Sequence, residues 1–150
     1  MRYVQPHLLD YVENGGTLLV QYNVSSGSMV SNLGPYPLTL SRSRVTDETA
    51  PVTLLSPNSR VLNYPNKITT ADFDGWIQER GLYFAGEADS QYNQPLRMAD
   101  PDEAPSDGSL LVARYGKGNF VYTSLAFFRQ LPAGVPGAYR LFVNLLAKPN

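Results

Sequence analysis

The stretch "LLVARYGKGNFVYTSLAFFRQLPAGVPGAYRLFVNLL", residues 110–146, decides what kind of fold this chain of 150 residues adopts. Segments 109–115 and 120–127 are rich in β-branched and aromatic residues, and the residues between them include Gly116 and Gly118. This pattern predicts two strands joined by a tight turn, which the glycines permit. The end of the stretch predicts an amphipathic helix that begins near Pro136. Its predicted apolar face consists of Tyr139, Leu141, Phe142, Leu145 and Leu146.

The N-terminal part of the chain predicts a helix followed by a strand. Apolar residues recur at helical spacing over 8–12, and "NGG" at 14–16 ends that helix. "TLLVQY" at 17–22 has an uninterrupted apolar centre, typical of a strand covered on both faces. A helix and buried strand form the second half of a βαβ unit, so we expect a domain truncated at its N terminus.

The middle of the chain predicts shorter elements within a single domain, 1–150. Alternation over 38–46 predicts an edge strand with Arg42 and Arg44 on a solvated face. A short helix is expected within 70–81 and a further strand at 82–86. The acidic, proline-rich segment 89–108 predicts a surface loop.

Composition excludes several classes of function. The chain has 12 basic and 13 acidic residues, a net charge of -1 and no long block of like charge, so no nucleic-acid partner is predicted. No apolar run approaches the ~20 residues that span a bilayer, so no membrane insertion is expected. The absence of cysteine excludes thiol nucleophiles, thiolate metal sites and disulfides.

Two stretches resemble the class I glutamine amidotransferase-like superfamily, especially its ThuA-like branch: "LLDYVENGGTLLVQYN" and "ARYGKGNFVYTSLAF". Nearly the whole chain is similar to the C-terminal domain of bacterial PIG-L/LmbE-type deacetylases. That similarity lies in "PYPLTLSRSRVTDETAPVTLL", "VLNYPNKITTADFDGWIQERGLYF" and the segment from "YGKGNFVYTSLAF" to the last helix.

The resemblance implies a three-layer α/β fold with a flavodoxin-like or amidotransferase-like sheet and a C-terminal β-hairpin. It implies an accessory domain whose partner is an upstream zinc deacetylase domain of a secreted or periplasmic parent. The parent would remove an acyl group from an N-acetylglucosaminyl-type substrate. The superfamily's Cys–His–Glu triad cannot be assembled here, because there is no cysteine and His7 is the single histidine. We therefore expect no catalytic residue, metal site or cofactor.

Four residues are candidates for ligand binding: Tyr22, Tyr36, Trp76 and Arg129. Tyr22 ends a predicted strand, where open α/β sheets bind their ligands. Tyr36 and Trp76 offer rings for stacking on a sugar, although the i, i+3, i+4 spacing of Phe73, Trp76 and Ile77 equally predicts a core anchor.

Arg129 belongs to a loop that also carries Thr123, Ser124 and Gln130. This loop either lines a pocket or closes the sheet; closure is the expectation for Thr123 and Ser124. The segment that precedes the last helix, with Arg129 and Arg140, is a further candidate for binding an anion.

The predicted function is non-catalytic: interdomain packing, oligomer contacts or carbohydrate binding. One alternative is a stand-alone sugar-binding module. The other is a hydrolase that pairs two carboxylates within ~10 Å across a sugar cleft. Its candidates by residue type are Asp47, Glu48, Asp72, Asp74 and Glu87.

Overall fold

The computed structural model describes residues 4–24 and 33–148, and within them it has the mixed α/β character that the sequence predicts. The helices are α1 (Gln5–Glu13), α2 (Phe127–Gln130) and α3 (Pro136–Leu146), with 3₁₀ helices at Arg60–Leu62 and Thr70–Phe73. The strands are β1 (Thr17–Gln21), β2 (Leu38–Leu40), β3 (Arg44–Val45), β4 (Val52–Leu54), β5 (Gly81–Leu82), β6 (Ala85–Ala88), β7 (Leu96–Met98), β8 (Leu110–Tyr115) and β9 (Gly118–Thr123).

The central sheet of the described chain has the strand order β1–β9–β8. β1 runs parallel to β9, with Thr17 opposite Asn119 and Gln21 opposite Thr123. β8 and β9 form the predicted antiparallel hairpin, in which Leu110 lies opposite Thr123. The second strand is shorter than expected, because the chain turns after Thr123 and α2 begins at Phe127.

The hairpin turn contacts the end of α1, and this contact explains both of its glycines. Gly116 has a φ of 56°, which favours glycine. A Cβ on Gly118 would lie 2.0 Å from the carbonyl oxygen of Val12, so no larger residue fits there. Lys117 N donates to the carbonyl of Glu13 at 2.9 Å. The turn therefore holds α1 against the sheet.

The sheet separates two hydrophobic cores, because successive side chains of a strand point to opposite faces. Leu19, Leu110 and Val121 face one core, which α3, the two 3₁₀ helices and the β4–β7 pair cover. Their neighbours along the strands, among them Phe120 and Tyr122, face the other core, which the β2–β6 pair covers.

The middle of the chain is more broken than the sequence predicts. The expected strand at 38–46 is two short strands, β2 and β3, which pair with β6 and β5. The expected strand at 82–86 is interrupted by Tyr83, whose φ is 59°. The predicted loop at 89–108 contains β7, which pairs with β4. Arg42 and Arg44 are exposed, as expected.

The helices form where the sequence predicts them, but some of the residues predicted to face the core are exposed. The helix expected within 70–81 is one 3₁₀ turn, Thr70–Phe73, whose N-cap Thr69 forms a capping box with Asp72. On α3, Tyr139 and Leu146 are 47% and 48% exposed, so neither belongs to the buried face.

β1 is only half-buried over Thr17–Val20, and not covered fully on both faces, because it is an edge strand of the described sheet. The polar, Ser- and Gly-rich stretch "NVSSGSMVSNLGPYP" at 23–37, which predicts a loop, is described only at its two ends. The central residues of that loop, 25–32, lie outside the described chain.

Candidate ligand-binding site

A cleft lies at the carboxyl end of the parallel strands β1 and β9. It consists of two hollows, of about 380 and 260 Å³, that share Tyr22 and Leu82. We call this the Tyr22 cleft. The residues that line it are Gln21, Tyr22, Arg42, Arg44, Leu82, Tyr83, Leu125, Phe128 and Arg129. Ligands of open α/β sheets bind at this end of the strands.

Three aromatic rings form a wall of the cleft. The ring centroid of Tyr22 lies 5.2 Å from that of Phe128 and 5.7 Å from that of Tyr83. Tyr22 is 37% exposed and Phe128 is 47% exposed. Exposed rings that lie side by side form a contiguous apolar patch, which is more informative than one exposed residue, so this wall offers apolar surface to a ligand.

The backbone at the cleft is strained. Tyr22 and Tyr83 have φ angles of 27° and 59°, a region that bulky residues seldom adopt. Hydrogen bonds hold both positions: Tyr22 N donates to Thr123 O at 2.9 Å, and the Tyr122 hydroxyl donates to Tyr83 O at 3.2 Å. Burial raises the pKa of Tyr122 to about 12, so this hydroxyl keeps its proton at neutral pH.

Arginines give the cleft its charge. Arg129 Nε donates to Glu79 Oε1 at 2.5 Å, and its guanidinium lies 5.1 Å from the centroid of the Phe128 ring. Glu79 offsets the charge of Arg129. Arg42 and Arg44 add two exposed guanidiniums, and Arg44 helps to lower the pKa of Asp100. No carboxylate is among the residues that line the two hollows, so the lining carries positive charge.

The predicted loop is instead the end of β9, a short connection and α2, which contains Arg129 and Gln130, and apart from Arg129 this segment closes the sheet. Thr123, Ser124 and Gln130 have no exposed surface. Thr123 Oγ1 donates to Ser109 O and accepts from Leu125 N. Gln130 Nε2 donates to the carbonyl of Glu79, and its amide group exchanges hydrogen bonds with the backbone of residue 77. Sheet closure, expected for Thr123 and Ser124, holds for Gln130 as well.

Two of the four predicted site residues lie outside the Tyr22 cleft. Trp76 is 3% exposed and packs against Phe73 and Phe127, with Nε1 donating to Asp72 O at 2.9 Å. Its ring is therefore a core anchor and has no face open to a sugar, a correction to its candidacy. Ile77, predicted to share that anchor, is instead 37% exposed.

Tyr36 packs elsewhere, on the second core beside Tyr92. Its ring centroid is 5.8 Å from that of Tyr92, and its hydroxyl donates to the carbonyl of Arg114 at 2.9 Å. Tyr36 therefore does not share a cavity with Tyr22 and Arg129.

The carboxylates considered for hydrolysis do not line a common cavity, although the charges of Asp47, Asp74 and Glu48 all act on Arg80. Asp72 caps the second 3₁₀ helix, and its carboxylate pairs with Arg140 at 2.8 Å. Arg140, which the sequence suggested as an anion-binding residue, is therefore already paired with a carboxylate. Glu48 accepts from Gln78 N, and Glu87 lines a separate shallow hollow. Five cavities lined by described residues were compared, and none of these five is lined by two of the candidate carboxylates. Residues 4–24 and 33–148 also contain no group of three acidic or histidine side chains placed to hold a metal ion.

Phe128 is the exposed aromatic residue of the cleft that the sequence did not suggest as a ligand-binding candidate. It stands in an apolar run, "LAFF", in which Phe127 is fully buried and Phe128 is not. The one available signal was that two adjacent residues of a short helix cannot both face the core. Arg42 and Arg44 were predicted to be solvated, and their exposure agrees with that, but their place beside Tyr22 depends on long-range pairing of β3 with β5.

Comparison with known proteins leaves the function open. No protein-family model matches the chain, and a search of curated proteins gives no significant match. Within the described residues no helix has the length and apolar character needed to cross a membrane.

Proposed function

We propose that this chain is a non-catalytic accessory domain of a PIG-L/LmbE-type deacetylase and that it binds carbohydrate in the Tyr22 cleft. The proposal includes a three-layer, amidotransferase-like arrangement for the whole domain. The observation that carries the binding role is the pair of exposed rings, Tyr22 and Phe128, beside arginines at the carboxyl end of the parallel strands.

The cleft suits a sugar for two physical reasons. The weakly polar C–H face of a pyranose packs on aromatic rings. The rings of Tyr22 and Phe128 already lie side by side, so they present such a surface before any ligand binds. Arginine N–H groups donate to ring hydroxyls, amide carbonyls or carboxylates, which fixes the orientation of the sugar. Arg129 is preorganised for this by its contacts with Glu79 and Phe128.

The positive lining favours sugars that carry acetamido or acidic groups over neutral ones. Arg42, Arg44 and Arg129 supply donors and no carboxylate joins them in the lining. An acetamido carbonyl accepts such donors, and a uronate carboxylate accepts them more strongly. N-acetylglucosamine oligomers, the substrate type of the proposed parent, are therefore the first ligands to test.

The test is an NMR titration of the chain with N-acetylglucosamine trimer and, separately, with a uronic-acid oligomer. We expect saturable shifts at Tyr22 and Phe128, and Phe128→Ala should weaken binding about tenfold, which corresponds to about 1.4 kcal/mol. Tyr139→Ala is the matched control, because Tyr139 is also 47% exposed but does not line the cleft; since it loses the hydrogen bond to Leu131 O, its fold is checked by circular dichroism first. Absence of saturable shifts with both ligands, or equal weakening by the two variants, would reject the binding role.

The accessory role has its own test, which is the coding sequence upstream of residue 1. A PIG-L-type domain with a zinc-binding His/Asp cluster is expected there. The exposed apolar stripe on α3, formed by Tyr139, Val143 and Leu146 at 47%, 47% and 48% exposure, would then be a candidate for packing between the domains. An upstream sequence without such a domain contradicts the accessory role and leaves a stand-alone sugar-binding module. The carboxylate hydrolase stays an alternative that no cavity geometry favours.

A further inference from the structure

A second cleft, of about 710 Å³, lies at the opposite end of β9 from the Tyr22 cleft. Four separate parts of the chain form its walls: the segment around the first 3₁₀ helix, the connection between β6 and β7, the end of β8 and the start of β9. Its polar lining includes Ser59, Arg60, Asn93, Arg114 and Asn119. We call this the Arg60 cleft. Its volume is in the range of small-molecule sites in proteins.

Two side-chain nitrogens in the wall of the Arg60 cleft have no acceptor. Arg60 Nη1 donates to Ala147 O at 2.9 Å, but Arg60 Nη2 is buried without a partner. Asn119 is 4% exposed, and its Nδ2 is likewise buried without a partner. A buried donor left unpaired destabilises the folded protein, because it loses the hydrogen bond that water would have given it. Each of these two nitrogens has almost no accessible surface, so it reaches a ligand in the cleft only after its side chain turns outward.

The charge of the lining is one-sided. Arg60 and Arg114 are its two ionisable residues, and no carboxylate is among the lining residues. The pKa of Arg60 is lowered, chiefly by burial and then by the charge of Arg114, so the two guanidiniums lie within electrostatic range of each other. A negatively charged acceptor in the cleft would relieve this repulsion, and it would offer a partner to the unpartnered nitrogens once the Arg60 and Asn119 side chains turn toward it.

We propose that the Arg60 cleft binds an oxyanion, the phosphate or carboxylate of a small molecule, through Arg60, Arg114 and Asn119. The two arginines supply charge and forked N–H donors, and Asn119 supplies a neutral N–H at the inner wall. Ser59 and Asn93 are placed to contact the rest of the ligand. A bare phosphate would leave most of the cleft unfilled, so the anion is one part of a larger ligand. This site is independent of the carbohydrate role proposed for the Tyr22 cleft.

The experiment is an NMR titration of the whole chain with three probes: inorganic phosphate, glucose 6-phosphate and citrate. Sodium chloride at matched ionic strength serves as the background. We expect saturable shifts at the side-chain amide of Asn119 and at Arg60 Nε with at least one probe. Tighter binding of glucose 6-phosphate than of phosphate assigns a phosphorylated ligand, and tighter binding of citrate assigns a carboxylated one. No saturable shift with any of the three overturns the proposal.

Variants separate a specific site from general attraction of anions. Arg114→Gln should weaken binding of the best probe at least tenfold. Arg97→Gln removes the same charge from a distant exposed ion pair and should leave that binding unchanged. Because Arg60→Gln also loses the hydrogen bond to Ala147, its fold is checked by circular dichroism before its affinity is compared. Equal weakening by Arg114→Gln and Arg97→Gln would contradict the proposal.

Discussion

Arg80 lies at one side of the larger core and donates its hydrogen bonds to backbone carbonyls. It is 4% exposed, and its Nε and Nη2 donate to Ala50 O at 3.2 and 2.9 Å. Its Nη1 donates to Phe73 O, and its guanidinium lies 5.8 and 5.9 Å from the ring centroids of Phe73 and Trp76. Burial lowers the pKa of Arg80, while the charges of Asp47, Asp74 and Glu48 act in the opposite direction. One side chain thus connects three segments of the chain.

Arg80→Lys should destabilise the protein by about 2 kcal/mol, because an ammonium cannot reproduce a planar fork that serves two carbonyls. Urea unfolding at neutral pH measures the change. Arg97→Lys is the control: Arg97 pairs with Asp107 at 2.7 Å on the surface, and a loss below about 1 kcal/mol is expected. Similar losses in the two variants would show that the geometry of Arg80 contributes little.

Asp100 makes stability depend on acid pH. Its carboxylate accepts hydrogen bonds from Thr46 N, Thr46 Oγ1 and Asp47 N at 2.9, 2.9 and 2.7 Å. Partial burial alone would raise its pKa, but these hydrogen bonds together outweigh burial and lower the pKa below the ordinary 3.8. Since the folded pKa is the lower one, the stabilisation is present above pH 3.8 and is lost as the pH falls through the folded pKa.

Asp100→Asn should therefore cost about 1 kcal/mol at pH 7, since its amide nitrogen faces donors where an oxygen is needed. The difference in unfolding free energy between variant and wild type should shrink as the pH falls below 3.8. Urea unfolding at a series of pH values from neutral to strongly acidic measures it. A difference that stays constant over the whole series would refute the assignment.

At the scale of single residues, the sequence suggested Tyr22 and Arg129 as ligand-binding candidates, and both line one hollow, but it did not identify the residues around them. Asn144, in another part of the structure, shows why the surroundings of a side chain are hard to predict. Asn144 is fully buried on α3 and exchanges four hydrogen bonds with Val61 and Asn66. In the sequence it is one polar residue in a largely apolar helix, and the predicted apolar face does not include it. The hydrogen-bond partners Val61 and Asn66 lie about 80 residues earlier in the chain, and they favour the orientation of α3 in which Asn144 faces inward and Leu146 faces solvent. The spacing of residues within α3 cannot reveal partners so distant in the sequence.

Among the elements, α3 approaches the second 3₁₀ helix unusually closely. A Cβ built on Gly137 would lie 1.9 Å from the carbonyl oxygen of Asp72, so the two backbones are in direct contact. Arg140 pairs with Asp72 one turn further along α3. The absence of a side chain at Gly137 therefore sets the distance between these two elements.

Gly137→Ala should destabilise the protein by about 2 kcal/mol, because the clash outweighs the better helix propensity of alanine. Thermal unfolding followed by circular dichroism measures it. Gly86→Ala is the control, since the nearest atom to its Cβ would be Thr39 Oγ1 at 3.3 Å. If Gly137→Ala were the more stable variant, the close contact of α3 would not be needed.

At the level of elements, predictions succeeded where pairing is local and failed where it is distant. The β8–β9 hairpin follows from its own residues and turn, as does the position of α3. β7 lies in an acidic, proline-rich segment and exists because β4, more than 40 residues earlier, pairs with it. The break at Tyr83 likewise follows from separate partners for β5 and β6.

At the scale of the whole molecule, one pair of strands brings an early and a late part of the chain together. β1 and β9 are far apart in the sequence but adjacent in the sheet, and everything between them is enclosed by that contact. Both candidate clefts lie at the ends of β9, so the hairpin strand that the sequence predicts best also positions the two sites.

This parallel pairing makes the domain a mechanical clamp. Tension applied at Thr17 and Thr123 pulls the parallel strands along their length in opposite directions, so all hydrogen bonds between β1 and β9 bear the load at once. Tension applied at Leu110 and Thr123, which face each other at one end of the hairpin, loads the bonds one after another. Single-molecule pulling through cysteines introduced at each pair of positions should give a clearly higher rupture force for the first geometry. Equal rupture forces would mean that the hydrogen bonds between β1 and β9 do not share the load. If the chain were pulled through its two termini, the force needed to unfold it would be set by the β1–β9 pair.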